Sequence, residues 1–430
     1  MQKVLIITYY WPPAGGPGVQ RWLKFTKYLV EKGYDVHVYV PDNPAYPLRD
    51  EALQKDVPKE AKVVKQPIFE PYALASFFGR KHVKTISSGV VPDDKKQSLV
   101  QRFMLWVRGN LFIPDARLFW VKPSERFLSK YVQANDIQTI ITSGPPHSLH
   151  LIGMQLKEKH NLRWLADFRD PWTTIEYHDK LKLSAYAQKR HKQLEKQVLH
   201  AADDVIVTSP LTVKEFQALT HKPVHLITNG FDSEVKKSND LDEKFTLAHI
   251  GSLLSSRNPH NLWKAISACK KDLPGFANDL SIVLIGVVSE EVKETLFTYG
   301  LEAQVQLMGY LSHEEVVVHQ AKSQVLLLIE ANNPVKRCIL PGKVFEYMSA
   351  GRPIVAFGVD DSDIQHIIEK SEAGQYFTYD QFDAIVAHIT ALYKAYKAGQ
   401  LSVGTKGIDA YHRSQLTNHL IDIIENPTKI

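Results

Sequence analysis

In the stretch Leu340-Pro341-Gly342-Lys343-Val344-Phe345-Glu346-Tyr347-Met348-Ser349-Ala350-Gly351-Arg352-Pro353, a Lys and a Glu stand three residues apart behind a Pro-Gly turn. Val344, Phe345 and Met348 recur at helical spacing, and Gly351 ends the helix before a short apolar run. In the first turn of such a helix Lys343 and Glu346 share a face, close to backbone N–H groups that lack intrahelical acceptors. A Lys suits a phosphate and a carboxylate suits a pair of sugar hydroxyls, so the pair fits a nucleotide. An amphipathic helix with a surface ion pair has the same spacing.

Two glycine loops offer related chemistry. Gly251-Ser252-Leu253-Leu254-Ser255-Ser256-Arg257-Asn258-Pro259 places one Arg ahead of a helix, as a phosphate clamp would. Trp11-Pro12-Pro13-Ala14-Gly15-Gly16-Pro17-Gly18 precedes another helical pattern but lacks both the GxGxxG and the P-loop lysine spacing. Either loop also serves as a plain βα turn. Ser143-Gly144-Pro145-Pro146-His147-Ser148 and Asp167-Phe168-Arg169-Asp170-Pro171-Trp172 each follow an apolar run and hold titratable groups.

These residues need a scaffold, and the apolar runs supply one. Strands are expected at Lys3–Tyr9, Val36–Val40, Thr139–Ser143, Arg163–Asp167, Asp204–Thr208 and Val224–Thr228. A second series is expected at Thr246–Gly251, Ser281–Gly286, Val305–Gly309, Val325–Glu330, Pro353–Phe357 and Gln375–Thr378. Helical patterns separate them, so two α/β domains with parallel sheets follow, and ligands in such sheets sit beyond the strand C-termini. Asn229-Gly230-Phe231-Asp232 and the charged run 233–244 read as a turn and a linker. The boundaries expected are 1–229, 230–408 and a last helix, 409–430, crossing back to the first domain.

Composition narrows the class. A chain of 430 residues with 44% apolar and 23% charged residues is that of an ordinary globular protein of more than one domain. No apolar run reaches membrane-spanning length, and two cysteines give neither a disulfide framework nor a metal cluster, so the cytoplasm is the expected compartment. Residues 1–229 carry 33 basic and 22 acidic side chains, against 19 and 25 in residues 230–430. The basic half is suited to an anionic membrane surface, a phosphorylated acceptor or nucleic acid. Between Pro67 and Pro123 the βα rhythm breaks, and Phe77–Lys84 and Lys95–Arg108 interleave bulky apolar with basic residues. That pattern suits a helix lying in a membrane interface, or one packed on its own domain with a solvated basic edge. No HExxH, CxxC, EF-hand or GxSxG motif and no repeat is present.

The ordered set of the Gly15-Gly16 loop, the Asn229-Gly230-Phe231-Asp232 hinge, the Gly251…Arg257-Asn258-Pro259 loop and the Lys343…Glu346…Gly351-Arg352-Pro353 block resembles glycosyltransferase family 4 over nearly the whole chain. The Asp167–Trp172 segment resembles a bacterial subset of it. The resemblance implies a GT-B fold, two Rossmann-like domains facing across a cleft. It implies transfer from an NDP-sugar, UDP- or GDP-linked, to a saccharide or lipid-linked acceptor, with retention and without a metal or other cofactor. It assigns Glu346 to the ribose, Arg257 and Lys343 to the diphosphate, and Gly15, Gly16, Gly251, Ser252, Arg337 and Leu340 to the same donor site. His147, Arg169 and Asp170 would face the reaction centre.

Two positions depart from the family pattern. Cys338 stands where the first Glu of Glu-x7-Glu is common, and Ser252 stands where an Arg is common; Arg257 or Arg337 would supply that charge. A sugar-nucleotide epimerase of the same fold and a non-catalytic nucleotide- or polysaccharide-binding subunit are the alternatives. No nucleic-acid module stands out. The expected place of action is the inner face of the cell membrane.

Overall fold

A computed structural model describes residues 1–70, 99–175, 178, 181–232 and 240–426. The chain divides into two compact units, one of Met1–Asn229 with Arg413–Ile430 and one of Gly230–His412.

The first unit is built on a seven-stranded parallel sheet. Its strands are β1 (Lys3–Ile7), β2 (Asp35–Pro41), β3 (Lys62–Gln66), β4 (Thr139–Gly144), β5 (Arg163–Phe168), β6 (Asp204–Val207) and β7 (Val224–Leu226), in the order β3-β2-β1-β4-β5-β6-β7. The central strands are apolar on both faces because helices cover both sides, which is why they read as continuous runs. Trp120, Leu128, Leu149, Ile152 and Trp164 fill one face, and Val4, Ile6, Trp22, Leu23, Val36 and Val38 fill the other. The helix Arg413–Glu425 lies against the helix Pro17–Glu31 and adds Leu416, Leu420 and Ile424 to the second of these cores. Tyr34 Oη donates to Glu425 at 2.7 Å, and the Arg163 guanidinium donates to the carbonyls of Ile423 and Ile424.

The second unit holds β8 (Phe245–Ile250), β9 (Leu280–Ile285), β10 (Val305–Gly309), β11 (Val325–Ile329), β12 (Ile354–Gly358) and β13 (Gly374–Thr378), all parallel in the order β10-β9-β8-β11-β12-β13. In both sheets the order reverses beside the first strand, between β1 and β4 and between β8 and β11. Such reversals open a crevice at the strand C-termini, because the crossing helices leave to opposite sides there.

The twelve expected strands are present, and one was not expected. Lys62–Gln66 pairs with β2 at the sheet edge, where its Lys-Val-Val-Lys-Gln sequence is only partly buried and gives no apolar run. The expected break in rhythm after Pro67 is partly woven into the first unit. Glu70 is buried, accepting from Tyr9 Oη at 2.8 Å and Ala45 N at 2.7 Å and pairing with Arg117 at 3.1 Å. The helix Leu99–Leu111 exposes Phe103, Trp106 and Leu111, while Leu105 packs with Leu181. Phe77–Lys84, Lys95–Ser98 and residues 233–239 of the expected linker lie outside the described residues. No helix among the described residues is long and apolar enough to cross a membrane.

Candidate functional site

In the second unit Gly251 follows β8 directly, and its φ of 128° suits glycine alone. Its neighbour Gly286 also lacks room, since a Cβ there would stand 2.6 Å from the Gly251 carbonyl oxygen. The chain then turns through Ser252, which is exposed, into the short 3-10 turn Ser255–Arg257. Asn258 fixes the end of that turn: its Oδ1 accepts from Trp263 Nε1 at 2.9 Å and its Nδ2 donates to Thr295 Oγ1 at 2.8 Å.

The helix Gly342–Ser349 begins after extended Pro341 and buries Val344, Phe345, Tyr347 and Met348. Ile250 N donates to Tyr347 Oη at 2.9 Å, which ties the helix to the last residue of β8. This anchoring brings the Lys343 Nζ to 3.7 Å from the place a Gly251 Cβ would occupy. The two loops singled out in the sequence therefore meet. Between them stands Glu330, directly after β11: its Oε1 is 3.3 Å from Lys343 Nζ and its Oε2 is 3.5 Å from Arg257 Nη2. Burial pulls the Lys343 pKa down, Glu330 partly opposes this, and Arg257 adds to it.

Glu346 lies one turn further along the same helix, partly buried, with Gln320 Nε2 donating to its Oε2 at 3.4 Å. Leu340 is buried ahead of the helix. Arg337 is exposed and lines a cavity of 690 Å³ with Asn261, Asn332, Asp360, Tyr379 and Gln381, a lining that does not include Arg257, Lys343 or Glu346. The structure thus gathers Gly251, Arg257 and Lys343 with Glu346 close by, and Arg337 lines a cavity whose lining does not include them. Glu330 was missed in the sequence. A single acid at the end of an apolar strand carries no spacing signal, and only the pairing of β11 with β8 brings it between the two cations.

The first-unit candidates lie around the β1–β4 reversal. Gly15 accommodates Leu48, whose Cγ would be 3.0 Å from a Cβ, and Gly16 (φ 103°) starts the helix Pro17–Glu31. A side chain at Gly18 would collide with the Arg169 guanidinium, which donates to the carbonyls of Gly144 (3.3 Å) and Pro145 and lies 5.7 Å from the Tyr10 ring centroid. Burial lowers the pKa of Arg169; burial raises that of Asp170, with Arg169 opposing. His147 is turned inward. Its ring stacks on Trp172 at 4.8 Å and 3°, and neither ring nitrogen finds a hydrogen bond. Burial first, then His150, holds its pKa well below the ordinary histidine value.

Asp167, at the start of the singled-out segment, is also inside the fold. It accepts from Arg21 Nη2 at 2.7 Å, Trp22 Nε1 at 2.8 Å and Ser143 Oγ at 2.8 Å.

Residues 244–395 match the family model described as glycosyl transferases group 1. No curated protein matches the chain. Among solved structures, sucrose-phosphate synthase from Thermosynechococcus elongatus is similar with a TM-score of 0.61 at 14% identity, over 99% of this chain and 98% of that one. HepE from Anabaena, solved with UDP-glucose, gives 0.59 at 12%, over 99% and 100%. A UDP-N-acetylglucosamine 2-epimerase described from Listeria monocytogenes gives 0.54 at 9%, over 98% and 95%. At these identities the likeness is one of fold, and the fold is that of the GT-B glycosyltransferases. The group 1 match lies within the second unit, residues 244–395, so that unit resembles the glycosyl transferases of group 1.

Proposed function

We propose that the chain moves a sugar from a nucleoside diphosphate sugar to a saccharide or lipid-linked acceptor. The observation that carries this is the meeting of Arg257 and Lys343 over Gly251 at the C-terminal edge of the second sheet, with Glu346 on the same helix. In this reading Arg257, Lys343 and the N-terminal end of the helix Gly342–Ser349 hold the diphosphate, and Glu346 accepts from the ribose hydroxyls. As the bond from the anomeric carbon to the diphosphate breaks, these charges stabilise the leaving group. The acceptor hydroxyl supplies the new bond and loses its proton. Retention and independence from metal follow from the family resemblance and belong to this proposal. So do the roles of Gly15, Gly16, Gly251, Ser252 and Leu340 around the donor and of His147, Arg169 and Asp170 at the reaction centre. The complex of HepE with UDP-glucose supports a UDP-linked donor here.

A thermal-shift screen of UDP- and GDP-sugars tests the donor assignment, since a ligand that binds only the folded state raises its melting temperature. One nucleotide series should stabilise the wild type, and Glu346→Ala should abolish most of that shift. Equal titrations for the two proteins would remove Glu346 from the site. C2 inversion of an NDP-N-acetylhexosamine without acceptor would replace transfer by epimerisation.

The acceptor side of the reading places the chain at the cytoplasmic face of an anionic membrane. Phe103, Trp106 and Leu111 are exposed on the helix Leu99–Leu111, in the basic half of the chain. Co-sedimentation with vesicles containing phosphatidylglycerol, and not with phosphatidylcholine alone, is the expected outcome. Trp106→Ser should weaken it.

A further inference from the structure

We propose that Glu330 is a built-in counter-ion that occupies the diphosphate subsite until the nucleotide displaces it, so that its charge sets how tightly the diphosphate is held and how fast it leaves. The inference rests on the assignment of Arg257 and Lys343 to the diphosphate.

The geometry separates this carboxylate from a structural one. Glu330 meets two cations at once, each through a different oxygen, at 3.3 and 3.5 Å. Both distances exceed the 2.7–2.9 Å of a tight charge-assisted hydrogen bond. Its Oε1 is buried without a hydrogen bond of good geometry. The residue's position in the fold is held by its main chain. Glu330 N donates to Phe357 O at 2.9 Å, extending the β11–β12 ladder, and Glu330 O accepts from Tyr379 Oη at 2.5 Å. The carboxylate is therefore not needed to fix the strand end.

A diphosphate entering between Lys343 and Arg257 would offer more negative charge than one carboxylate, with oxygens spread over two phosphorus centres. It would outcompete Glu330 for the two cations and then meet a like charge held within a few ångströms. Repulsion of that kind weakens the product complex as well as the donor complex, and release of the nucleoside diphosphate speeds up. Nucleoside without phosphate would not sense the carboxylate.

The test is binding of UDP, GDP, the corresponding nucleosides and inorganic pyrophosphate to the full chain, wild type against Glu330→Gln and Glu330→Asp, by isothermal titration and stopped-flow displacement. Glu330→Gln should bind pyrophosphate and the recognised nucleoside diphosphate about tenfold more tightly, with slower release, and the nucleoside unchanged. Glu330→Asp, which keeps the charge, should stay near the wild type and controls for folding of the strand end. Unchanged or weaker pyrophosphate binding by a folded Glu330→Gln protein overturns the inference while leaving the donor site intact. Absence of pyrophosphate and nucleotide binding in the wild type overturns the donor site itself.

Discussion

Two acidic side chains close strands in the two units, and they are used in opposite ways. Asp167 ends a run in β5 and is saturated: Arg21, Trp22 and Ser143 all donate to it, and Arg21 and Asp167 are 2% and 0% exposed. Burial raises the Asp167 pKa, but Arg21 and these hydrogen bonds more than offset it, and the carboxyl ends below its ordinary value. Glu330 follows β11 and is unsaturated, bridging two longer contacts with 12% exposure, beside Lys343 at 18% and Arg257 at 28%. A pair whose every lone pair is taken has nothing left for a ligand and serves the fold. Cations gathered around one loosely held carboxylate keep capacity for another anion.

The sharpest way to break this comparison is Asp167→Ala. It strands a buried Arg21, which keeps its hydrogen bond to the Thr228 carbonyl at 2.8 Å, and should cost about 3–5 kcal/mol of stability. Urea unfolding followed by Trp fluorescence reads the first unit, because of the seven Trp residues only Trp263 lies outside it. A loss below about 1 kcal/mol would remove Asp167 from the structural side.

Acid should separate the units next. His147, His150, His178 and His191 sit in the first unit with pKa values lowered chiefly by burial, His150 and His178 to about 3. His147 stacks on Trp172, and His178 packs edge-on to His191 at 4.6 Å. A histidine held neutral in this way stabilises the fold fully above its unfolded pKa of about 6.5 and loses that contribution as pH falls toward the folded value. At pH 5 His150 and His178 should each have lost about 2 kcal/mol of stabilisation. Melts followed by Trp emission should fall steeply between pH 7 and pH 5; a flat profile would place charged or solvated histidines in that core.

These contrasts mark what the sequence could and could not convey. The central strands were legible because parallel strands buried on both faces are apolar throughout, and the edge strands Val224–Leu226, Val305–Gly309 and Gly374–Thr378 because they still carry apolar residues after a helical pattern. Lys62–Gln66 was not, because two lysines and a glutamine break its run at a partly buried edge. Lys343 and Arg257 were legible through the glycine and proline turns that precede them. The direction of the His147 ring was not, because it is decided by Trp172 from the next βα loop. Glu330 was hidden for the same reason: its meaning arises only when β8 and β11 become neighbours.

On the functional side, Lys343→Ala should act on binding and hardly on folding. Its side chain is 18% exposed, burial already disfavours its charge, and its partner Glu330 keeps Arg257, so stability should move by less than about 1 kcal/mol. Affinity for the recognised nucleoside diphosphate should fall by about 30-fold, the loss of one charge-assisted contact of about 2 kcal/mol. A large drop in melting temperature with unchanged affinity would move Lys343 to the structural class beside Arg21.

The smallest expected effect comes from adding a cation instead of removing one. Ser252 is exposed, directly after Gly251, where the resembled family commonly has an Arg. If the site is unsaturated, Ser252→Arg has room to reach the same anion that Lys343 and Arg257 hold. An exposed charge in high dielectric is worth only about 0.5–1 kcal/mol, so the nucleoside diphosphate should bind about threefold more tightly, and the gain should shrink as salt is raised. Combined with Glu330→Gln, the gain should be larger than in the wild-type background, because the added guanidinium then has no carboxylate to occupy it before the diphosphate arrives. Full additivity of the two substitutions would show that residue 252 and Glu330 address different parts of the surface.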